Sequence, residues 1–90
     1  MLRPVYTNQF NKDVKRDKKR GKDLKTLKEI VCLLIEEKSL PVKNKDHKLG
    51  GNFNECRECH LEPDWLLIYK IEAENIFFVR TGTHAWDGVR

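Results

Sequence analysis

Histidine and arginine side chains recur in the second half of the chain in a pattern that suits acid–base chemistry on a phosphate. The four residues are His47, His60, Arg80 and His84. Histidine titrates near neutral pH and can give or take a proton, and the guanidinium fork of arginine can hold a phosphate through two N–H donors. RNA cleavage needs little else, because the ribose 2′-OH is a built-in nucleophile and no metal is strictly required.

A turn signal at Glu62 to Trp65 (EPDW) organises the strands that carry these side chains. Proline presets φ for the second position of a type I turn, and aspartate suits the third. Pairing Glu62 with Trp65 across the turn predicts His60 opposite Leu67. The face expected to join the core carries Cys59, Leu61, Leu66 and Ile68. The opposite face is expected to carry Glu58, His60, Trp65, Leu67 and Tyr69.

A third strand is predicted at residues 75–82 (NIFFVRTG), which are rich in β-branched and aromatic side chains. A hairpin symmetric about Ala73 and Glu74 places Arg80 opposite Leu67, so that Arg80 shares the face of His60. His84 lies an even number of residues after Arg80 and is expected on the same face. Phe77 and Val79 are expected on the core face.

The start of the chain predicts a short strand and then a helix. Residues 2–6 can form a strand at a sheet edge, where the missing N–H of a proline is tolerated. Thr7 or Asn8 can cap a helix that runs to about Arg20, and Gly21 provides its stop.

A second helix is predicted after Asp23, because apolar residues recur at helical spacing as far as Ile35. Residues 42–54 are predicted to form a polar connection between the second helix and the strands. We therefore expect an α+β fold with two N-terminal helices packed on one face of a small twisted antiparallel sheet, in the order β-α-α-β-β-β. The predicted core is Phe10, Val14, Leu24, Leu27, Val31, Leu34, Leu61, Leu66, Ile68 and Val79.

The length and charge of the chain indicate one domain, residues 1–90, with a preference for anionic partners. The 90 residues include 18 lysines and arginines against 14 acidic residues. Nine basic and three acidic residues lie between Lys12 and Lys28. This run is either a solvated helix surface or a contact for nucleic acid. The residues expected to contact RNA there are Lys12, Lys15, Arg16 and Lys19, while Trp65 is either core or a base-stacking residue.

Other classes of function fit the sequence less well. Cys56 to His60 match the C-x-x-C-H pattern of haem attachment, but no signal segment precedes it and the only methionine is Met1, so we expect no haem. Cysteines three apart on a strand point to opposite faces, and we expect no metal and no cofactor. Three cysteines, with neither a signal segment nor a membrane span, predict a cytoplasmic protein with no membrane contact.

The motifs in this order resemble those of the RelE/ParE superfamily of bacterial toxins, in particular its YafQ-like branch. The resemblance rests on Phe10, Lys12, Asp13 and Lys15, on residues 45–49 (KDHKL), on residues 57–69 (RECHLEPDWLLIY) and on residues 80–84 (RTGTH). It implies a RelE-like fold, cleavage of messenger RNA at the ribosome and neutralisation by a cognate antitoxin.

The resemblance also implies roles for single residues. It assigns acid–base or substrate-orienting roles to His47, His60, Asp64 and His84. It further places Arg80 on the phosphate and Trp65 near the site.

The chain departs from the family pattern in residues 85–90, an atypical tail. Family members generally end shortly after the last histidine with an aromatic residue of the active site, and Gly88 stands in that place here. The departure predicts weakened base stacking, and Trp86 is the candidate substitute.

A second interpretation keeps the same fold but assigns the chain no catalytic activity. In that reading the chain is a non-catalytic toxin that binds a protein target such as gyrase, as ParE-like members do. Such toxins lack the convergent histidines, which favours RNA cleavage for this chain.

Overall fold

The computed structural model describes residues 1–50 and 55–83, and these form two helices and five strands. The α+β class is as predicted. The elements in chain order are β1 (Arg3–Tyr6), α1 (Asn8–Lys19), α2 (Leu24–Ile35), a 3₁₀ turn (Val42–Asn44), β2 (His47–Lys48), β3 (Arg57–Glu62), β4 (Trp65–Glu72) and β5 (Asn75–Thr83). No helix within the described ranges is both long and apolar enough to cross a membrane.

The helix boundaries follow from capping residues that the sequence already indicates. The Thr7 hydroxyl accepts a hydrogen bond from the backbone N–H of Phe10 at 3.0 Å, and the Asp23 carboxylate accepts one from Lys25 at 3.0 Å. After α1 the chain turns through Gly21, whose φ of 83° is a conformation that glycine adopts without strain. Both predicted caps and the predicted stop are confirmed.

The sheet is mixed, with the strand order β1-β5-β4-β3-β2. β1 pairs parallel with β5, and Arg3 lies opposite Asn75, whereas the other neighbours are antiparallel. The prediction of a purely antiparallel sheet is therefore wrong. The helices lead from β1 to β2 at the opposite edge of the sheet, and the antiparallel strands β2 to β5 then bring the chain back beside β1, where β5 runs parallel to it. Residues 42–54, predicted as a plain connection, include the 3₁₀ turn and strand β2.

Two register shifts change which side chains share a face. Glu62 pairs with Trp65 as predicted, but a shift between His60 and Glu62 brings His60 opposite Leu66 and not opposite Leu67. A second shift, in the middle of the β4–β5 ladder between Ile68 and Tyr69, brings Arg80 opposite Ile68. Because successive side chains on a strand alternate between faces, a one-residue shift moves a whole run to the other face.

The main core, between the helices and the sheet, is consequently built from different residues of β4 than predicted. From the predicted core, the helix residues and Leu61 are confirmed, and the main core also holds Cys59, Trp65, Leu67, Tyr69, Ile76 and Phe78. The predicted core residues Leu66, Ile68 and Val79 belong instead to a smaller cluster with Cys56 and Leu49. We call this smaller group the second cluster.

The two cysteines of the C-x-x-C-H pattern lie in different layers. Cys56, directly before β3, belongs to the second cluster, and Cys59 on β3 belongs to the main core. Burial raises the pKa of the Cys59 thiol to about 12, so this side chain remains a neutral thiol at ordinary pH.

Candidate active site

A row of paired residues crosses the sheet on the face that carries the second cluster. His47 on β2 lies opposite Glu58 on β3, Glu58 lies opposite Ile68 on β4, and Ile68 lies opposite Arg80 on β5. Paired residues on neighbouring strands project from the same face. His60 is two residues from Glu58 and joins this face. The structure thus brings together His47, His60 and Arg80, and we call their surface the site face.

Glu58 lies between the two imidazoles of the site face. Its Oε1 atom is 3.3 Å from His47 Nε2 and 4.0 Å from His60 Nε2, and the two imidazole centroids are 6.3 Å apart. Glu58 is fully buried, which strengthens its interaction with any positive charge on the rings. The carboxylate can orient both histidines and stabilise an imidazolium that forms when one of them takes a proton.

Sequence reasoning placed Glu58 on the face of His60 but gave it no role. The available signal was an acidic residue inside an otherwise buried strand, between two cysteines in the segment CRECH. Buried acidic side chains are rare unless they are paired, so such a residue is a candidate site residue.

Contacts on both sides of His47 fix its ring. Lys45 adopts a left-handed conformation with φ of 47°, and its carbonyl oxygen lies 2.6 Å from His47 Nδ1. A carbonyl can only accept, so Nδ1 carries the hydrogen and Nε2 faces Glu58.

The residue before His47 is also held in place. Asp46 accepts hydrogen bonds from the Tyr69 hydroxyl at 2.6 Å and from Arg57 Nε at 3.2 Å. Burial, assisted by the hydrogen bond to Asp46, raises the pKa of Tyr69 well above its usual value. The carboxylate of Asp46 thereby ties the start of β2 to β3 and β4, at the residue that precedes His47.

Arg80 is held from the helical layer by Asp13. Arg80 Nε donates to Asp13 Oδ2 at 2.9 Å, and the same oxygen accepts from the backbone N–H of Thr81 at 3.2 Å. Arg16 Nη2 donates to the Thr81 carbonyl at 2.8 Å. β1 pairs with β5 only as far as Phe78, so side chains of α1 take over hydrogen bonds at the edge of β5 beyond that residue.

The basic residues of α1, together with its C-cap Arg20, line a shallow groove of about 470 Å³. The lining residues are Lys12, Lys15, Arg16, Lys19 and Arg20. The three lysines are exposed, whereas Arg16 is partly buried by its contacts with Thr81 and Asp13. The groove has the charge and exposure required of a phosphate contact, and RNA binding there stays a prediction.

The remaining predicted site residues have different positions. Asp64 is exposed in the turn between β3 and β4. Trp65 is fully buried in the main core, where its indole N–H donates to Asp17 Oδ2 at 3.0 Å. That burial contradicts the predictions that Trp65 stacks on bases and lies on the site face, because no face of its ring is open. His84 and Trp86 lie outside the described residues.

A pocket of about 320 Å³ opens beside His60. It lies between the segment around the 3₁₀ turn and the end of β3, and it is lined by Lys43, Asn44, Lys45, His60, Leu61, Glu62 and Pro63. The Asn44 side chain is buried and donates from Nδ2 to the His60 carbonyl at 2.6 Å. The sequence gave no signal for this pocket, because 42–54 was read as a connection.

Comparison with known proteins identifies the chain as a bacterial toxin. The sequence profile described as "Bacterial toxin of type II toxin-antitoxin system, YafQ" matches residues 2–86. The chain therefore belongs to the YafQ toxin family of type II toxin–antitoxin systems.

Individual relatives agree with this family. The chain is 48% identical over 81 residues to the mRNA interferase toxin YafQ of Escherichia coli K12, which covers 89% of this chain and 88% of the relative. The crystal structure of YafQ from E. coli BL21(DE3) superimposes with a TM-score of 0.89 at 44% identity, covering 94% of this chain and 96% of that one. A chain in the crystal structure of the E. coli DinJ-YafQ complex gives a TM-score of 0.88 at 45% identity, with the same coverage.

Proposed function

We propose that this chain is the toxin of a type II toxin–antitoxin system and acts as a metal-independent endoribonuclease that cuts messenger RNA at the ribosome. The proposal is supported by 48% identity to a toxin named an mRNA interferase. The observation that carries it is the site face, on which Glu58 contacts two histidines and stands in one row with Arg80. This arrangement supplies proton transfer and phosphate binding without requiring a metal.

The proposed reaction is an in-line transfer within the RNA chain. A histidine takes the proton of the ribose 2′-OH, the 2′-oxygen forms a bond to the adjacent phosphorus, and the bond from phosphorus to the 5′-oxygen breaks. The departing 5′-oxygen takes a proton from a second residue, which acts as the general acid. The products are a 2′,3′-cyclic phosphate and a 5′-OH end.

The roles proposed for single residues follow from these steps. His47 and His84 share the acid–base work, while His60 and Asp64 orient the substrate. Arg80 stabilises the charge on the phosphate, for which its planar fork is suited.

The exposed lysines of α1 are proposed to hold the RNA backbone. Lys12, Lys15 and Lys19 each add a charge that can neutralise one phosphate, whatever the base sequence.

The proposed partner is a cognate antitoxin, as expected for a member of this family. Support comes from the crystal structure of the E. coli DinJ-YafQ complex, which contains a chain that is similar to this one. We propose that an acidic segment of the antitoxin docks on the basic surface of α1. Its association rate, measured by stopped-flow mixing, should then fall as salt rises from low to physiological concentration. A rate indifferent to salt would place the docking site elsewhere.

The cleavage proposal is tested by incubating purified protein with programmed ribosomes and mapping RNA ends by primer extension. Wild type should cut the message and leave 5′-OH ends. His47→Ala should reduce the rate by about 10²–10⁴-fold. The matched control is Lys38→Ala, an exposed position beyond α2.

Products with a 5′-phosphate would overturn this mechanism, because attack by the 2′-OH releases the 5′-oxygen as a hydroxyl. Intact RNA together with inhibition of gyrase supercoiling would instead support the non-catalytic alternative.

A further inference from the structure

A buried carboxylate on α1 contacts both the side chain of Arg80 and the backbone beside it. Asp13 is only 1% exposed. Its Oδ2 atom accepts from Arg80 Nε at 2.9 Å and from the backbone N–H of Thr81 at 3.2 Å. One oxygen thus binds the side chain of one residue and the backbone of the next. Such a contact fixes the direction in which the Arg80 side chain leaves β5.

The other backbone group of Thr81 is also bound by α1. Arg16 donates from Nη2 to the Thr81 carbonyl at 2.8 Å and from Nη1 to Asp13 Oδ1 at 3.2 Å. Gln9 donates to the same Oδ1 at 3.0 Å. These bonds lie beyond Phe78, where the pairing of β5 with β1 ends. The helix therefore takes the place of a neighbouring strand, and a displaced Asp13 would displace Arg80 as well.

A β-bulge directly precedes Arg80. Ile68 pairs with Arg80 and Tyr69 pairs with Phe78, so Val79 is an extra residue in β5. Bulges re-aim nearby side chains and are common beside active sites. The bulge makes the direction of Arg80 dependent on contacts outside the regular ladder, and Asp13 supplies them.

The contact with Asp13 uses one edge of the Arg80 guanidinium. Nε and Nη2 share that edge, and they lie 2.9 Å from Oδ2 and 3.4 Å from Oδ1. Because the guanidinium is planar, a carboxylate that fixes this edge also fixes the direction of the third nitrogen, Nη1. A buried ion pair adds little net stability, so stability alone does not account for this carboxylate.

We infer that Asp13 is a positioning residue for phosphate binding, which holds Arg80 so that its guanidinium meets one non-bridging oxygen of the scissile phosphate in the transition state. The inference rests on the proposed RNA cleavage, in which Arg80 stabilises the charge on the phosphate. Asp13 is buried and acts only through Arg80. Its loss should therefore slow the chemical step and leave binding of RNA by the exposed lysines of α1 unchanged.

The test is a double-mutant cycle measured by single-turnover cleavage. The variants are Asp13→Asn, Arg80→Ala and the two combined, compared per folded molecule by circular dichroism. Asp13→Asn keeps the size of the side chain, and it should slow cleavage about ten- to a hundredfold with the Kd for RNA nearly unchanged. In the Arg80→Ala background the same change should slow cleavage by less than about a further twofold, because the residue through which it acts is gone.

Asp17→Asn is the matched control. Asp17 is as deeply buried and lies one turn further along α1, but its hydrogen bonds go to the Trp65 indole and to Arg16. The change should lower the free energy of unfolding. Cleavage per folded molecule should stay near that of wild type.

A sulfur atom in the substrate gives a measurement that a purely structural role of Asp13 would not alter. Short RNAs carry one phosphorothioate at the cut, as separated Rp and Sp isomers, and sulfur accepts hydrogen bonds more weakly than oxygen. Wild type should cut one isomer about five- to tenfold more slowly than the other. The preference should be lost in Asp13→Asn and in Arg80→Ala but kept in Asp17→Asn.

A measurement on wild type covers the case in which Asp13→Asn does not fold. In protein with isotope-labelled arginine, the Nε–H signal of Arg80 is assigned by its absence in Arg80→Ala. It should exchange slowly with water, and it should remain slow when a 2′-deoxy substrate analogue is bound. Fast exchange in the bound state would overturn the inference, because Asp13 would then have released Arg80.

The outcomes separate this inference from the proposed function. Equal slowing by Asp13→Asn with and without the Arg80 side chain would overturn the positioning role and leave the nuclease standing. An isomer preference that persists in Asp13→Asn would do the same. Failure of wild type to cut any RNA would overturn both proposals.

Discussion

The two faces of the sheet are equally buried at their centres but differ in composition. Facing the helices, Trp65, Leu67 and Tyr69 pack with apolar side chains into one large core. On the site face, Leu66 and Ile68 are as completely buried, yet their neighbours across the strands are His60, Glu58 and Arg80. The same three strands therefore supply stability on one face and candidate chemistry on the other.

This difference shows how a chain of 90 residues can combine both tasks. The alternation of side chains along a strand separates a core from a site by a single residue step. The helix-facing layer can be packed closely without blocking the substrate, and the site face can hold charges without weakening the core. Substitutions on the helix-facing side should therefore lower the free energy of unfolding and leave the cleavage rate unchanged. Substitutions on the site face should slow cleavage and leave the free energy of unfolding nearly unchanged.

The largest expected effect is on chemistry and comes from Glu58→Gln. The replacement keeps the shape but removes the charge beside His47 and His60, so cleavage should slow by about a hundredfold or more. The free energy of unfolding should change little, because a buried charge is costly to retain. Single-turnover cleavage and urea unfolding measure the two quantities.

Glu55→Gln provides the matched control for that change. Glu55 is exposed and pairs with Lys70 at 3.1 Å, so the same loss of charge there should leave cleavage unaffected. Equal losses in the two variants would mean that charge near β3 matters in general and that Glu58 has no particular role.

The next effect is on stability and comes from Leu67→Ala in the main core. Removing a fully buried leucine should cost about 2–5 kcal/mol in the free energy of unfolding. The cleavage rate per folded molecule should be unchanged. Ile71→Ala, at an exposed position of the same strand, should cost less than about 1 kcal/mol. A loss at Leu67 as small as that at Ile71 would refute the assignment of the core face.

The smallest effect is expected for Tyr69→Phe. The ring of Tyr69 lies in the main core, and its hydroxyl binds Asp46, the residue before His47. The change removes the hydrogen bond from the tyrosine hydroxyl to Asp46 and should cost about 1 kcal/mol. It should also slow cleavage a few-fold, because Asp46 supports the strand that carries His47. Tyr6→Phe, at an exposed tyrosine, should change neither quantity.

The cost of Tyr69→Phe should be constant between about pH 6 and pH 9. The folded-state pKa of Tyr69 is raised, so its contribution is fully present below the unfolded value of about 10 and is lost as pH rises through the raised value. Urea unfolding at several pH values measures this, and a cost that disappears below pH 8 would contradict the assigned hydrogen bond.

The sequence predicts well what depends on neighbours along the chain. Thr7, Gly21 and Asp23 act through bonds within one turn of the backbone, so their positions set the helix ends. The turn at residues 62–65 is likewise local. The register shifts beside Leu61 and Tyr69 depend on how neighbouring strands pair, and no short pattern encodes them.

The residues of the candidate site also fall into two groups, those that the sequence indicates and those whose roles depend on strand pairing. His47, His60 and Arg80 are recognisable because their side chains suit phosphate chemistry. The roles of Glu58 and Asp46 exist only once β2 pairs with β3, which joins segments that the sequence leaves as a loop and a strand. Burial of Trp65 follows from the shifted register and could not be read from its type.

The parallel pairing of β1 with β5 has a consequence for synthesis of the chain. Residues 3–6 pair with residues 75–78, so the first strand has no partner in the sheet until β5 has left the ribosome. Non-local pairs of this kind form slowly, because the chain between them must first be closed into a loop. A nascent chain stalled before β5 also lacks Arg80. We expect such stalled chains to be protease-sensitive and inert, so that the toxin gains its activity only after β5 has been made.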